Sequence, residues 1–287
     1  MYDDVLLPVD GSEGAATVSH HAAELAHWAD ATVHVLFVAD TARDSVTVVE
    51  GQTVDALVRR GERVVAETAE RLRSLGVDHE TDVVQGSPAP TIVDYAERYG
   101  HDLVVMPTHG REGVARYLLG SVTEKVVRLS PVPVLTARLQ PDERLTFPYE
   151  DVLLPTDGSE TAMGGARHGL SLASRLGAAV HTLSVVDDSA LGPDVRSTVP
   201  TDAAETAARD AVDEVVAEAA AYDLGAVSAH VEHGRPVDAI RGCIDGHDID
   251  AVVMGTTGRR GTDRILMGSV AEATVRTAPV PVVTVRE

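Results

Sequence analysis

The chain has 287 residues, 44% of them hydrophobic, and its 45 acidic against 24 basic side chains give a formal net charge of −21. These values exclude a disordered or fibrous chain, and the single cysteine excludes a small disulfide-stapled scaffold. The acidic charge repels phosphate backbones, so we expect no binding to nucleic acid. No apolar run reaches the roughly 20 residues that span a bilayer, and the first residues do not form a signal peptide. We therefore expect a cytoplasmic protein that does not bind membranes.

The first half of the chain alternates between strand and helix patterns. Short β-branched or apolar runs predict strands, and apolar residues recurring every three or four positions predict amphipathic helices. In chain order we predict a strand at 5–9, a helix at 15–29, a strand at 32–38, a loop at 41–52, a helix at 54–75, a strand at 81–85, a helix at 92–99, a strand at 103–106, a helix at 122–129 and a strand at 132–137.

The second half repeats the first. The segment DDVLLPVDGSE at 3–13 returns as EDVLLPTDGSE at 150–160, and DLVVMPTHGREGVARYLLGSV at 102–122 returns as DAVVMGTTGRRGTDRILMGSV at 250–270. A polar segment bounded by prolines, 141–148, joins the copies, as is typical of a linker. We therefore predict two domains, at 1–140 and 149–287.

Five strands alternating with four helices in each copy predict a parallel sheet. The nearly continuous apolar strands indicate burial on both faces of that sheet. The predicted fold class is α/β, with two tandem Rossmann-like domains, each a five-stranded parallel sheet with helices on both faces.

The negative charge is spread over both copies, at −10 up to residue 147 and −11 beyond it. Lys125 is the one lysine of the chain. A large distributed charge maintains solubility and is one of the means by which halophilic proteins adapt. The composition therefore indicates a halophilic protein, with an ordinary acidic cytosolic protein as the alternative.

Ligands of open parallel sheets bind at the carboxyl ends of the strands, so the residues that follow each strand are the candidates. Asp10 and Asp157 each follow a first strand, where a carboxylate can accept hydrogen bonds from ribose or an amine. The alternative is that these turns only cap the next helix. Gly255, Gly258 and the pair Gly268-Ser269 form glycine-rich turns ahead of a helix, where N–H groups and the helix dipole attract phosphate.

The strand-end VDGS or TDGS, the later GxxG-x9-G[ST] pattern and the closing PVPVLT strand together resemble the universal stress protein family. The resemblance covers both copies and nearly the whole chain. It implies a member with two domains in tandem, similar to the members that bind ATP or related adenine nucleotides. It also implies that the domains form an intramolecular pseudo-dimer through their last strands. Association of two chains into a homodimer is left open as a further level of assembly.

Matching positions in the second copy assigns roles by resemblance. Residues at the first, second and fourth strand ends would contact adenine and ribose, and those at the glycine turns would donate N–H groups to the phosphates. The first group is Pro155, Thr156, Asp157, Val185, Met254 and Gly255, and the second is Gly258, Gly268, Ser269 and Val270. The loop residues Arg259 and Arg260 could also reach phosphates, with a purely solvated loop as the alternative.

The first copy departs from the pattern at Pro107, which stands where the motif has its first glycine. Proline has no N–H and adds bulk, so we expect nucleotide to bind mainly in the second copy and weakly or not at all in the first. The positions that still match are Asp10, Val38, Gly110, Gly120, Ser121 and Val122.

These observations predict a stress-related regulatory protein that binds ATP or another adenine nucleotide, with or without Mg²⁺ as a companion ion. Two alternatives remain open: a nucleotide-free interaction module, and a slow Mg²⁺-dependent ATPase, for which the sequence offers no dedicated catalytic base. We predict no metal site, because His230 and His233 fall on opposite faces of a strand.

Overall fold

The computed structural model describes residues 1–40, 52–109, 119–187, 201–257 and 267–286, which divide into two compact units, Met1–Pro141 and Asp142–Glu287. Most of the loop predicted at 41–52 lies outside the described residues. Within the described part of the chain, no helix combines the length and apolarity needed to cross a bilayer.

The first unit contains five strands and four helices among its described residues. They are β1 (Asp4–Pro8), α1 (Glu13–Ala29), β2 (Thr32–Ala39), α2 (Gln52–Ser74), β3 (His79–Gln85), α3 (Pro88–Tyr99), β4 (Leu103–Pro107), α4 (Ser121–Leu129) and β5 (Val134–Ala137). The strands lie in the order β3-β2-β1-β4-β5, and all of their pairings are parallel.

The described residues of the second unit repeat this arrangement. Its elements are β6 (Asp151–Pro155), α5 (Glu160–Leu176), β7 (Ala179–Val186), α6 (Thr201–Ala219), β8 (Val227–His233), α7 (Pro236–Gly246), β9 (Ala251–Gly255), α8 (Ser269–Thr277) and β10 (Val282–Val285). The strand order is β8-β7-β6-β9-β10, again parallel throughout. The predicted fold class is confirmed.

The apolar runs of the sequence form the centre of each sheet. In β1 and β6 the side chains of Val5, Leu6, Val152 and Leu153 are fully buried, because helices cover both faces of the sheet. The strands β3 and β8 lie at the outer edge of their units, and all of their side chains are exposed or half-buried.

The strand order reverses between β6 and β9 in the second unit. These two strands pair only at Val152–Ala251 and Leu153–Val252, so their carboxyl halves extend beyond the shared ladder. A reversal of this kind opens a crevice at the carboxyl ends, which is where such sheets bind ligands. The same reversal separates β1 from β4 in the first unit.

The segment predicted as a linker packs on the second unit. The Arg144 guanidinium donates to the carbonyls of Ile249, at 3.0 Å, and Ile244, at 3.3 Å, close to the end of α7. The Arg144 N–H donates to the carbonyl of Pro279 at 2.7 Å. These contacts agree with the start of the second compact unit at Asp142.

Candidate functional site

The turn after β6 is organised by its own side chains. The Ser159 N–H donates to Asp157 Oδ1 at 3.1 Å, and the Ser159 hydroxyl accepts from the Ala162 N–H at 3.2 Å, as the N-cap of α5. Thr156 is buried, and its hydroxyl accepts from the Gly158 N–H at 3.1 Å. The capping role that the sequence left as an alternative is therefore present, and it fixes Asp157 at the strand end.

Three neighbouring strands bring the predicted base and ribose residues to one rim. Asp157 follows β6, Val185 lies one residue before the end of β7, and Gly255 ends β9, which flanks β6 on its other side. Val185 is half-buried. Pro155 and Met254 are buried beneath the rim, so their side chains pack in the core below the site and offer little surface to a ligand.

Gly255 lies against the start of α5. A Cβ at this position would come within 2.4 Å of the Thr161 carbonyl oxygen, and a Cβ on Gly165 of α5 would come within 2.5 Å of the Gly255 nitrogen. Two glycines thus allow helix and strand to approach closely. The motif glycine that the sequence assigned to the ligand has a packing role of its own.

The backbone of Gly255 also faces the crevice. The next residue, Thr256, donates its N–H to Val285 of β10 at 3.0 Å. Since successive N–H groups of a strand point to opposite sides, that of Gly255 points toward β6. The Gly255 N–H is therefore oriented so that it could donate to a ligand in the crevice.

The start of α8 lies beside this crevice. The Gly268 N–H donates to the Thr256 carbonyl at 2.8 Å and so ties the helix start to the end of β9. Gly268 was predicted to donate this group to phosphate; it is instead used within the protein. Gly268 is the N-cap, and Glu272 returns its N–H to the Gly268 carbonyl at 2.9 Å. The first N–H groups of α8, at Ser269 and Val270, therefore remain as the predicted anion donors.

Several predicted residues lie outside the described part of the chain. These are Gly110, Gly258, Arg259 and Arg260. Of the predicted phosphate residues in the second unit, Gly268, Ser269 and Val270 are described, with Ser269 exposed and Val270 half-buried.

The first unit builds the same frame. Ser12 donates its N–H to Asp10 Oδ1 at 2.9 Å and caps α1 through its hydroxyl. The Gly120 N–H donates to the Thr108 carbonyl at 2.8 Å, so this predicted phosphate donor is also used internally. Val38 and Val122 are half-buried and Ser121 is exposed, as are their counterparts in the second unit.

Pro107 replaces the motif glycine without a clash. At the helix position facing it, where the second unit has Thr161, the first unit has Gly14, and a Cβ on Gly14 would come within 3.6 Å of the Pro107 Cβ. The bulk of the proline is thus directed toward α1. What the first unit loses at this position is the N–H that faces the crevice.

A cluster of three imidazoles in the second unit was missed by the sequence reasoning. His181, His230 and His247 each offer a ring nitrogen, and these atoms lie within 4.8 Å of one another. They come from β7, β8 and the C-cap of α7, so only the strand order and the packing of α7 bring them together. A cavity of about 430 Å³ lies next to them, lined by His230, Glu232, His233, Arg235, Asp238, Ala239, Gly242, Cys243 and His247.

Comparison with known proteins gives a consistent result for both units. The model of the universal stress protein family matches residues 1–138 and 148–286. A universal stress protein of Methanocaldococcus jannaschii is 32% identical over 141 residues, covering 48% of this chain and 83% of that protein. One of Mycobacterium tuberculosis is 29% identical over 236 residues, covering 79% of this chain and 77% of its own.

A solved structure matches the fold over its full length. The crystal structure of a universal stress protein from Archaeoglobus fulgidus superposes with a TM-score of 0.75 at 24% identity, covering 99% of this chain and 98% of the other. At this identity the likeness extends to the fold.

Proposed function

The chain belongs to the universal stress protein family, and from that premise we propose that it is a regulatory protein that binds an adenine nucleotide, ATP in the first place, mainly in its second unit. The nucleotide lies at the carboxyl ends of β7, β6 and β9. Its phosphates point to the start of α8.

The observation that carries the proposal is that a hydrogen-bond acceptor, Asp157, and an anion-binding helix start, that of α8, lie on the same rim of the sheet. Asp157 supplies a carboxylate for the ribose hydroxyls, and the N–H groups of Ser269 and Val270 supply partial positive charge for the phosphates. The hydrogen bond from Gly268 to Thr256, at 2.8 Å, holds the start of α8 at the end of β9, the strand beside β6. In a chain of net charge −21, such fixed dipoles are needed to hold a polyanion, with Mg²⁺ as a further source of charge.

The proposal includes an asymmetry between the units. Both have the Asp turn and the helix start, but only the second has an N–H at the end of its fourth strand that faces the crevice. We expect one tight nucleotide per chain, with weaker or no binding in the first unit.

Nucleotide retained by the purified protein provides the test. We expect chromatography of the heat-released ligand to give an adenine nucleotide at up to one per chain. Gly258→Ala should remove it, and Gly110→Ala, the matched variant in the first unit, should not. Equal loss in both variants contradicts the asymmetry, and a purified protein that neither retains nor takes up any nucleotide contradicts the function.

Turnover separates regulation from catalysis. With excess Mg²⁺ and ATP, a regulatory binder releases no more phosphate than the buffer control. Steady release that Asp157→Asn and Gly258→Ala both abolish would instead identify an ATPase.

A further inference from the structure

The second unit carries a side-chain cluster at the other end of its sheet from the proposed nucleotide site. His181 is the third residue of β7, His230 is the fourth residue of β8, and His247 follows the last residue of α7. Helices run antiparallel to the strands in this fold, so the end of α7 lies near the strands' amino-terminal ends. The cluster is therefore separate from the rim that holds Asp157 and Gly255.

The ring nitrogens have the spacing of metal ligands. His181 Nδ1 and His230 Nε2 are 3.1 Å apart. Two imidazoles on one tetrahedral Zn²⁺, with Zn–N bonds of about 2.0–2.1 Å, place their nitrogens about 3.4 Å apart. The His247 ring contacts both of the others, with centroids 5.0 Å from His181 and 4.6 Å from His230. Because His247 is exposed at a helix end, a small rotation of its side chain completes the set.

A carboxylate orients His181, the ligand on β7. Asp151, the first residue of β6, lies 3.0 Å from His181 Nε2 through its Oδ1. Asp151 thus holds the proton on Nε2 and leaves the lone pair of Nδ1 directed at His230. A carboxylate that accepts from the far side of a ligating imidazole is the usual outer partner of a zinc histidine.

The surroundings of His230 favour its neutral form, which is the form that binds a metal. Burial, followed by the neighbouring His247 and His181, lowers the pKa of His230. The neighbouring cavity is lined by Glu232, Asp238 and Arg235, and Arg235 pairs with Asp238 at 3.8 Å. The negative charge that favours a cation there is therefore mainly that of Glu232.

The first unit has the same Asp–His pair but lacks a histidine at the position of His230. His34 pairs with Asp4 at 2.8 Å, as His181 does with Asp151. At the position of His230 in the strand register, however, the first unit has Asp82, which accepts from the Tyr95 hydroxyl at 3.1 Å. A hydrogen-bonded Asp–His pair is thus common to both units, and among the described residues the three-histidine set is found in the second.

We propose that His181, His230 and His247 bind a divalent transition-metal ion of the Zn²⁺ type, with Asp151 as the outer partner of His181. Three histidines leave a fourth coordination position, and His230 and His247 line the cavity, so this position opens toward it. Water occupies it in the simplest case, and the cavity is large enough to admit a small anionic ligand of the metal.

Metal titration of the full chain tests the proposal. The metal-stripped protein is titrated with Zn²⁺ against a chromophoric chelator and, separately, with Co²⁺, whose visible absorption reports a tetrahedral nitrogen site. We expect one tight Zn²⁺ per chain. His230→Ala and His247→Ala should each weaken it by more than about 100-fold, and Asp151→Asn by roughly 10–100-fold as an outer partner.

Two histidine variants serve as controls. His233→Ala lies on the same strand and cavity but outside the cluster, and His34→Ala removes the counterpart in the first unit. Both should keep the zinc affinity of the wild type. His247 is exposed, so loss of zinc in His247→Ala with an unchanged thermal unfolding curve of the metal-free protein separates ligation from folding.

The proposal is overturned if the wild type takes up no tight Zn²⁺. It is equally overturned if His230→Ala and His247→Ala bind as the wild type does, or if His233→Ala loses the ion to the same extent.

Discussion

Gly255 and Pro107 occupy equivalent positions in the two repeats. In each unit, the size of the facing residue on the packed helix complements the residue at this position. Thr161 faces Gly255, and Gly14 faces Pro107. The sequence shows that this position differs between the units, and the functional consequence stays a prediction. It could not indicate that the side-chain bulk is directed toward the helix, because that depends on how closely α5 and α1 approach their sheets.

This packing predicts a stability effect at Gly255. Gly255→Ala should lower the free energy of unfolding by about 1–3 kcal/mol, because the added Cβ would come within 2.4 Å of a backbone carbonyl that cannot move without shifting α5. Urea denaturation measures the change. Pro107→Ala is the matched variant and should cost less than about 1 kcal/mol, since it removes bulk and only frees the unfolded chain. A neutral Gly255→Ala would contradict the close approach.

The carboxylate of Asp157 allows a separate prediction. Asn retains an oxygen that can accept from the Ser159 N–H, so Asp157→Asn should leave the turn and the stability nearly intact. Hydrogen bonds from the ribose to a charged acceptor contribute about 1.5–3 kcal/mol, so ATP affinity should fall by about tenfold or more. Isothermal calorimetry measures it, with Asp10→Asn as the control. Equal affinity in the wild type and Asp157→Asn would mean that the residue only caps the helix.

At the scale of elements, α8 and α4 begin in the same way but are proposed to act differently. Each starts after a glycine N-cap with extended backbone, at φ −63° and ψ 143° for Gly268 and φ −62° and ψ 138° for Gly120. The sequence predicted both helix starts within one residue. It did not predict that the glycine N–H groups would be used to hold the helices to β9 and β4, since such a bond depends on the path of the intervening loop.

Proline at the first helical position tests the anion site without breaking the helix. Proline is tolerated there, and the residue before it must be extended, as Gly268 already is. Ser269→Pro removes one N–H and one hydroxyl, so ATP affinity should fall by about tenfold or more, with little change in the unfolding curve. Ser121→Pro makes the same change in the first unit and should leave tight binding unchanged. Retained affinity in Ser269→Pro would exclude the start of α8 as the phosphate site.

Helix α1 also predicts a pH dependence of stability. His21 is buried, and its pKa is lowered to about 4, first by burial and then by the neighbouring His20. The unfolded chain therefore binds a proton at this residue near pH 6.5, while the folded chain does not until about pH 4. The contribution to stability is complete above pH 6.5 and is lost as the pH falls from there toward 4.

A variant isolates that contribution from the many carboxylates. Between pH 6.5 and 4, the unfolding free energy of His21→Gln should decrease less steeply than that of the wild type, by at most about 1.4 kcal/mol per pH unit. Urea denaturation across this range measures both slopes. Parallel slopes would mean that His21 takes up its proton equally in the folded and unfolded chains.

For the whole molecule, the repeat read from the sequence accounts for the fold of both units, including their strand number and parallel order. The apolar strands and turn residues carry that information locally. The three-histidine cluster was not predictable in the same way, because its members are 49 and 17 residues apart and only the tertiary packing joins them.

The charge of the whole chain predicts how nucleotide affinity responds to salt. A net charge of −21 opposes a polyanion, and raising the salt from 0.1 to 1 M shortens the screening length from about 10 to 3 Å. ATP affinity should therefore rise with salt, while that of uncharged adenosine should change less. Calorimetry at both salt concentrations checks this. An ATP affinity that falls steeply would indicate that exposed cations, rather than fixed dipoles, hold the phosphates.

The central claim is that the two similar units bind nucleotide unequally, with the tight site in the second. Calorimetric titration of nucleotide-stripped full-length protein with ATP measures the number of sites directly. We expect one tight site per chain, which Ser269→Pro removes and Ser121→Pro leaves in place. Two equivalent sites, or a single site that is lost in Ser121→Pro instead, would contradict it.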